Sequence, residues 1–264
     1  MCSRLPGGAR YMADTQHNLE PFLARLGRRS VLSAAEQQAV LDLPFRLVRY
    51  EPNHDLVRLG ERVDHACFVA EGLVGRFDQN ARGDRQITSL YIPGDMPDLL
   101  SVVQPKATSA LVALSRATVL HVPHREIRQA MAIYPALAEA FWRDCMVDSM
   151  ILAQWVVNVG RRNARARMAH LLCEMGYRYG FGREKGGAEF RFAMTQSQLA
   201  DATGITPVHV NRTLMALIAD GVSMRAKKVR IADWDALAIV GDFDSGYLQE
   251  DINPQERLRI VQPA

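Results

Sequence analysis

Long apolar runs are missing from this chain. Nothing in its 264 residues approaches the roughly 18 consecutive apolar positions that a membrane helix needs. The N-terminal segment MCSRLPGGARYMADTQHN carries scattered charge and no apolar stretch of the kind a secretory signal has. A soluble, cytoplasmic protein with no membrane partner is expected. Residues 1–18 read as disordered, with Met12 an alternative start to Met1. Cysteine is scarce and scattered: Cys2, Cys67, Cys145 and Cys173 form no Cys-x-x-Cys pair. That spacing argues against a disulfide framework, a zinc knuckle and an iron–sulfur cluster. Cys145 and Cys173 fall in apolar helical patterns and read as buried small hydrophobes. Signatures of catalysis are missing too: no P-loop, no Gly-x-Ser-x-Gly, no His-Glu-x-x-His and no Gly-rich dinucleotide turn after a strand. His121 and His124 are spaced like a metal pair, but Pro123 lies between them and no carboxylate is near in sequence. Neither an enzyme nor a metal site is expected.

An excess of one charge sign is also lacking, since the net charge is only +3. Its distribution is more informative. Arg161, Arg162, Arg165 and Arg167 form one basic cluster, Arg225, Lys227, Lys228 and Arg230 another, and Arg212 lies between them in sequence. Such clusters attract phosphates by charge and counterion release. The composition, 48% hydrophobic and 23% charged, is that of an ordinary globular protein with room for two domains.

Periodicity divides the chain. Leu19, Phe22, Leu23 and Leu26 recur at helical spacing, and Ser33 with Glu36 makes a capping box, so short helices are expected over 19–43. From about 45 to 120, short β-branched runs (FRLVRY, ACFVAEG, LVGRFD, RQITSLYI, SALVAL, ATVLHVP) alternate with Gly and Pro turns. That rhythm implies a small antiparallel sandwich or roll, placed within 19–133. Helical character returns near 124. Within a long helix at 134–160, Ala138, Phe141, Cys145, Asp148, Leu152, Trp155 and Val159 step by alternating threes and fours. This short heptad seam has a second copy of the helix as its natural mate, although the same face can also pack on its own β-domain. Asp148 in the seam is expected to tune register. The Gly-rich loop GFGREKGGA and the strand EFRFAM follow.

The strongest signal is MTQSQLADATGITPVHVNRTLMALIADG. Thr195 and Gln198 form a capping box at the head of one helix. Thr206 caps a second, and Pro207 stands at its first position, where a missing amide costs nothing. Ala200, Gly204 and Val210 fall at helix-turn-helix spacing: a small residue for close crossing, a left-handed turn, an apolar lock. Thr213 stands where a larger apolar residue is commoner. The strands VSMRA and KVRIA after Gly221 suggest a wing. The second helix is expected to offer Val208, His209, Asn211 and Arg212 to a DNA major groove. Arg212 suits guanine, Asn211 adenine and Val208 a thymine methyl, while Ser197, Thr206 and Lys227 suit phosphate.

A β-roll, a long helix and a C-terminal winged helix-turn-helix in that order resemble the Crp/Fnr family of bacterial regulators. The resemblance covers about 30 to 245 and is carried by IPGDMPDLL (92–100), GRRNARARMAHLLCEM (160–175) and TQSQLADATGITPVHVNRTLMAL (195–217). It implies an α+β protein: a cyclic-nucleotide-binding-like roll, a dimerisation helix bearing Phe141, Cys145, Asp148, Leu152 and Trp155, a DNA-binding domain at 161–246 and a tail at 247–264. It further implies a homodimer, a palindromic promoter operator, contact with RNA polymerase, and a hinge near Gly160, Arg161 and Arg162. The effector pocket would hold Asp98, Leu99, Thr108 and Ser109. In cyclic-AMP-binding members a Gly-Glu pair grips the ribose and an arginine pairs with the phosphate. Here those positions read Pro97-Asp98 and Thr108, and Lys106 nearby makes no bidentate clamp, so cyclic AMP is not expected. The lone Cys2 does not support the oxygen-sensing cluster of the family, and nothing marks His65, Cys67, His121 or His124 as haem ligands. Pro207 and Val208 replace the Arg and Glu of well-known recognition helices, so a different operator is expected. The competing reading is a cyclic-nucleotide-like signalling protein whose C-terminal module docks on protein instead of DNA.

Overall fold

The computed structural model describes residues 18–182, 186–250 and 253–256. Of residues 1–18, expected to be disordered, 1–17 lie outside these residues, as does the centre of the Gly-rich loop. Two short helices come first, α1 (Glu20–Gly27) and α2 (Ala34–Leu41). The capping box of Ser33 and Glu36 is formed at the head of α2. The β-branched runs become β1 (Arg46–Tyr50), β3 (His65–Glu71), β4 (Val74–Gln79), β5 (Arg85–Tyr91), β6 (Ala110–Ala113) and β7 (Ala117–Pro123), with one further short strand, β2 (Asp55–Val57). They form two antiparallel sheets, ordered β1-β7-β3 and β2-β6-β4-β5. Between the sheets lie Val57, Val63, Cys67, Val69, Val74, Tyr91, Leu111 and Val119. Alternation sends Ala66, Phe68, Leu120 and Val122 to the opposite face, where Phe22, Ile127, Leu137 and Phe141 cover them.

Helices α3 (His124–Ile133) and α4 (Pro135–Arg161) follow the roll. The long helix forms as expected, but its faces are rotated from the expected seam. Phe141 and Trp155 are buried in the chain's own cores. The Trp155 indole donates to Glu174 at 2.9 Å. Asp148 faces Arg25 of α1 at 3.4 Å. These three residues are therefore not free for a partner helix. The exposed or half-exposed line is Trp142, Cys145, Ser149, Leu152, Val156 and Val159, which also steps by three and four. Of the expected set, Cys145, Leu152 and Val159 lie on it.

The helix ends at Arg161, Arg162 turns extended (ψ 145°), and Asn163 caps α5 (Ala164–Arg178), so the chain breaks where a hinge was expected. The C-terminal unit continues with β8 (Ala188–Arg191), α6 (Gln196–Thr203), α7 (Pro207–Leu217), β9 (Val222–Arg225), β10 (Lys228–Ile231) and α8 (Trp234–Gly241). Its sheet is ordered β8-β10-β9. Of the expected tail at 247–264, the first residues, Tyr247 and Leu248, fold back instead. Leu248 is buried, its carbonyl accepts from Arg29 at 3.0 Å, and the Tyr247 hydroxyl donates to Glu174 at 2.9 Å.

The two units share one apolar core. Ile87, Leu90 and Val112 from the roll join Ile151 and Trp155 of α4 and Leu199, Ala202 and Leu217 of the C-terminal unit. A buried ionic network crosses the same junction. Arg25 donates to Asp144 (2.7 Å) and Asp95 (2.6 Å), Arg178 donates to Asp95 (2.6 Å) and the Leu90 carbonyl (2.9 Å), and Arg29 donates to Asp144 (2.7 Å). Asp148 at its edge has its carboxyl pushed up to about 7 by burial, with Asp144 and Asp95 adding to the shift and Arg25 opposing it.

Candidate nucleic-acid interface

Local chemistry builds the two helices. The Thr195 hydroxyl accepts from the Gln198 amide at 3.1 Å, while the Gln198 side chain accepts from the Thr195 amide at 2.8 Å, closing the box. Gly204 ends α6 with φ +64° and ψ +36°, a left-handed conformation that glycine adopts without strain. The Thr206 hydroxyl then accepts from the His209 amide at 3.3 Å, and Pro207 occupies the first turn of α7. Val210, Thr213 and Leu217 bury one face of α7. Thr213 is thus an inward residue, only 4% exposed, despite its hydroxyl.

The opposite face is open. Val208, His209, Asn211 and Arg212 are all exposed, as are Ser197 of α6 and the capping pair Thr206 and Pro207. Val208 keeps 73% of its surface, leaving its methyl groups open to contact. Gln196 was not expected at this surface. Its side-chain amide donates to Asn211 at 3.4 Å and so ties the head of α6 to α7. Its position in the first turn beside Ser197 was the available signal. Lys227 is set apart from this group. It sits at the two-residue turn between β9 and β10, with φ +62° after Ala226 at +48°. It borders a cleft of about 860 Å³ between this unit and the roll, with Arg191 and Glu71.

The basic cluster around the start of α5 is largely committed within the protein. Arg167 donates to the carbonyls of Asn158, Val159 and Arg162 at the end of α4 and to Thr203 at the end of α6 (2.6–3.1 Å). It satisfies helix C-termini instead of phosphates. Arg165 pairs with Asp220, and Arg162 with Asp242 at 3.0 Å. Arg161 remains exposed. At the wing, Lys228 meets Glu189 at 3.2 Å, with both side chains exposed. The whole unit is held against the roll, with the buried Gln198 amide donating to the Leu114 carbonyl at 3.0 Å and Gln86 donating to the Ala202 carbonyl at 3.3 Å.

The expected effector pocket is only partly assembled. Asp98 and Ser109 are buried between the sheets, whereas Thr108 is exposed and Leu99 packs with Met96, Val102 and Ile127 on the helix-covered face. Contrary to expectation, the Thr108 and Leu99 side chains do not join Asp98 and Ser109 in the interior of the roll. The cation that sequence reasoning missed is Arg76. Its guanidinium donates to Ser109 Oγ at 2.6 Å, to the Pro97 carbonyl at 2.5 Å and to the Tyr91 hydroxyl at 3.2 Å. Alternation in LVGRFD, which puts Val74 and Arg76 on one face, was the signal for it. Beside it, the Asp98 carboxylate accepts from the Cys67 amide at 2.6 Å. The Cys67 thiol is pushed well up by burial, with Asp98 adding to the shift. His65 and His121 stack 3.9 Å apart next to this thiol. His121 is held down to about 3, chiefly by burial and then by His65 and Arg46. His124 is not part of the group and bonds Ser101 at 2.7 Å.

Comparison with known proteins agrees with this layout. The family model of the cyclic nucleotide-binding domain matches residues 47–134, and that of the Crp-like helix-turn-helix domain matches 166–239. The chain is 24% identical over 183 residues to the anaerobic regulatory protein of Haemophilus influenzae, covering 69% of this chain and 71% of that protein. It is 24% identical over 207 residues to the transcriptional regulatory protein btr of Bordetella pertussis, covering 78% and 85%. Among solved structures, FixK2 from Bradyrhizobium japonicum superposes with a TM-score of 0.67 at 22% identity, covering 74% of this chain and 96% of that one. No described helix is long and apolar enough to cross a membrane. With both of its domains matched in the order the fold displays, the chain belongs to the Crp/Fnr family of transcription regulators and carries a Crp-like helix-turn-helix as its DNA-binding unit.

Proposed function

We propose that the protein regulates transcription in the cytoplasm as a homodimer, reading a palindromic promoter operator with α7 from each copy. The observation that carries this is the open face of α7. Four side chains of base-reading types, Val208, His209, Asn211 and Arg212, stand exposed near the head of a capped helix whose other face is locked in the core. The exposed line Trp142, Cys145, Ser149, Leu152, Val156 and Val159 on α4 supports a second copy as the partner that covers it. Two recognition helices would then meet half-sites about 34 Å apart on one side of the duplex. RNA polymerase is the further partner that membership of the family suggests. The protein acts by binding and not by catalysis.

Cyclic AMP is not its effector on this reading. The positions matching the ribose-gripping pair and the phosphate-pairing arginine of cyclic-AMP-binding members hold Pro97-Asp98 and Thr108, and the interior cation Arg76 is engaged by Ser109, the Pro97 carbonyl and Tyr91. Haem and iron–sulfur clusters are likewise not proposed. The test is selection of bound duplexes from a random pool by the purified protein. Enrichment of an inverted repeat supports the proposal, and a pool that stays random overturns it.

A further inference from the structure

The Crp/Fnr assignment leaves one cluster inside the roll without a role. His65 and Cys67 alternate along β3 and so face the same side, and His121 pairs with Cys67 across the β3–β7 ladder. One ligand-type atom from each lies within 4.8 Å of the other two. We propose that these three side chains form a binding site for a single thiophilic transition-metal ion of the zinc or copper kind.

Three observations support a built site over a chance grouping. First, His65 Nδ1 is 2.9 Å from the Asp64 carboxylate. A carboxylate there holds the proton on Nδ1 and leaves Nε2 with its lone pair free. That Nε2 is buried and has no hydrogen-bond partner, a costly state for a polar atom unless a ligand engages it. Second, Asp98 Oδ2, on the carboxylate that accepts from the Cys67 amide, is also buried without a partner. Two orphaned electron-pair donors thus flank one thiol. Third, His121 is oriented from both sides, with Arg46 at 3.3 Å from Nδ1 and the Tyr50 hydroxyl at 3.0 Å from Nε2. One of these neighbours gives way to the ion.

The donor set selects the ligand class. One thiolate and two imidazoles suit zinc and copper, whereas magnesium and calcium take oxygen. A thiolate is required, so the Cys67 proton is released to solvent as the ion binds and no electron changes hands. The two imidazole rings lie face to face, 13° from parallel. Coordination therefore turns at least one ring edge-on. His65 is the ring able to turn, because its side chain keeps 20% of its surface at the rim of the roll.

Cobalt(II) added to the reduced full-length protein tests the site. One equivalent is expected to give a thiolate-to-cobalt charge-transfer band with the visible bands of a tetrahedral ion, and zinc should bleach both. Cys67→Ser should abolish the charge-transfer band, while Cys2→Ser, Cys145→Ser and Cys173→Ser should keep it. At the rim, where folding is not at stake, His65→Gln and Asp64→Asn should each weaken cobalt about 10- to 100-fold with the melting temperature of the apo-protein unchanged. No charge-transfer band at one equivalent, a band that survives Cys67→Ser, or full affinity in both rim variants would overturn the proposal.

Discussion

Shortening Val156 to alanine separates two arrangements of the long helix. Val156 keeps 62% of its surface in the single chain, whereas Trp155, its neighbour, keeps 4%. If the second copy covers the exposed line, Val156→Ala removes two methyl groups from each side of the interface. At about 0.8 kcal/mol per buried carbon, scaled by that open fraction, the dimer loses about 2 kcal/mol. This corresponds to a dissociation constant raised roughly 30-fold. The folding of each chain should hardly change. Trp155→Ala should do the reverse, because it opens a cavity in the chain's own core and removes one of the hydrogen bonds to the buried Glu174, costing about 3–5 kcal/mol of folding stability. Sedimentation equilibrium gives the dimer constant and urea denaturation the folding stability. A dimer constant untouched by Val156→Ala would refute the reasoning, and so would one that moved only with Phe141 or Trp155.

Two further perturbations probe the buried polar groups. Asp95→Asn leaves Arg25 and Arg178 underpaired at the junction of roll and DNA-binding unit and should cost about 3–5 kcal/mol in urea denaturation, with less loss when Arg178→Leu is present as well. His170 is 1% exposed and is held down from 6.5 to about 4, chiefly by burial and next by Arg162. Because its folded value is depressed, the unfolded chain takes the proton first. Stability is therefore complete above 6.5 and is lost as the pH falls toward 4, by about 3 kcal/mol at the limit. Denaturation midpoints at pH 7 and pH 4.5 should converge in His170→Gln; an acid sensitivity equal to that of the unsubstituted protein would exclude this histidine as the cause.

What was readable in the sequence was local. The caps at Thr195, Thr206 and Ser33 and the turn at Gly204 depend on residues within a few positions, and all of them form. The strand runs could be read because alternation and turn residues agree. The seam of α4 misled for a physical reason. The series through Phe141, Asp148 and Trp155 and the series through Trp142, Ser149 and Val156 lie one residue apart with the same period and similar polarity. Only the packing of α1 and the roll decides which is covered. Arg167 illustrates the same limit. An arginine beside other arginines reads as a phosphate contact, yet the helix ends it satisfies meet only in the folded chain. Arg76, helix α8 and the fold-back of Tyr247 and Leu248 likewise depend on partners distant in sequence.

The most direct test of the central claim is the affinity of the protein and of Arg212→Ala for a selected operator and for a random duplex, each followed across a range of salt. The predicted result is a steep salt dependence in both proteins, with Arg212→Ala weaker by about 1–3 kcal/mol on the operator alone, or roughly 5- to 150-fold. Equal loss on random DNA, or no loss on the operator, would contradict the claim that α7 lies in the major groove with Arg212 against the bases.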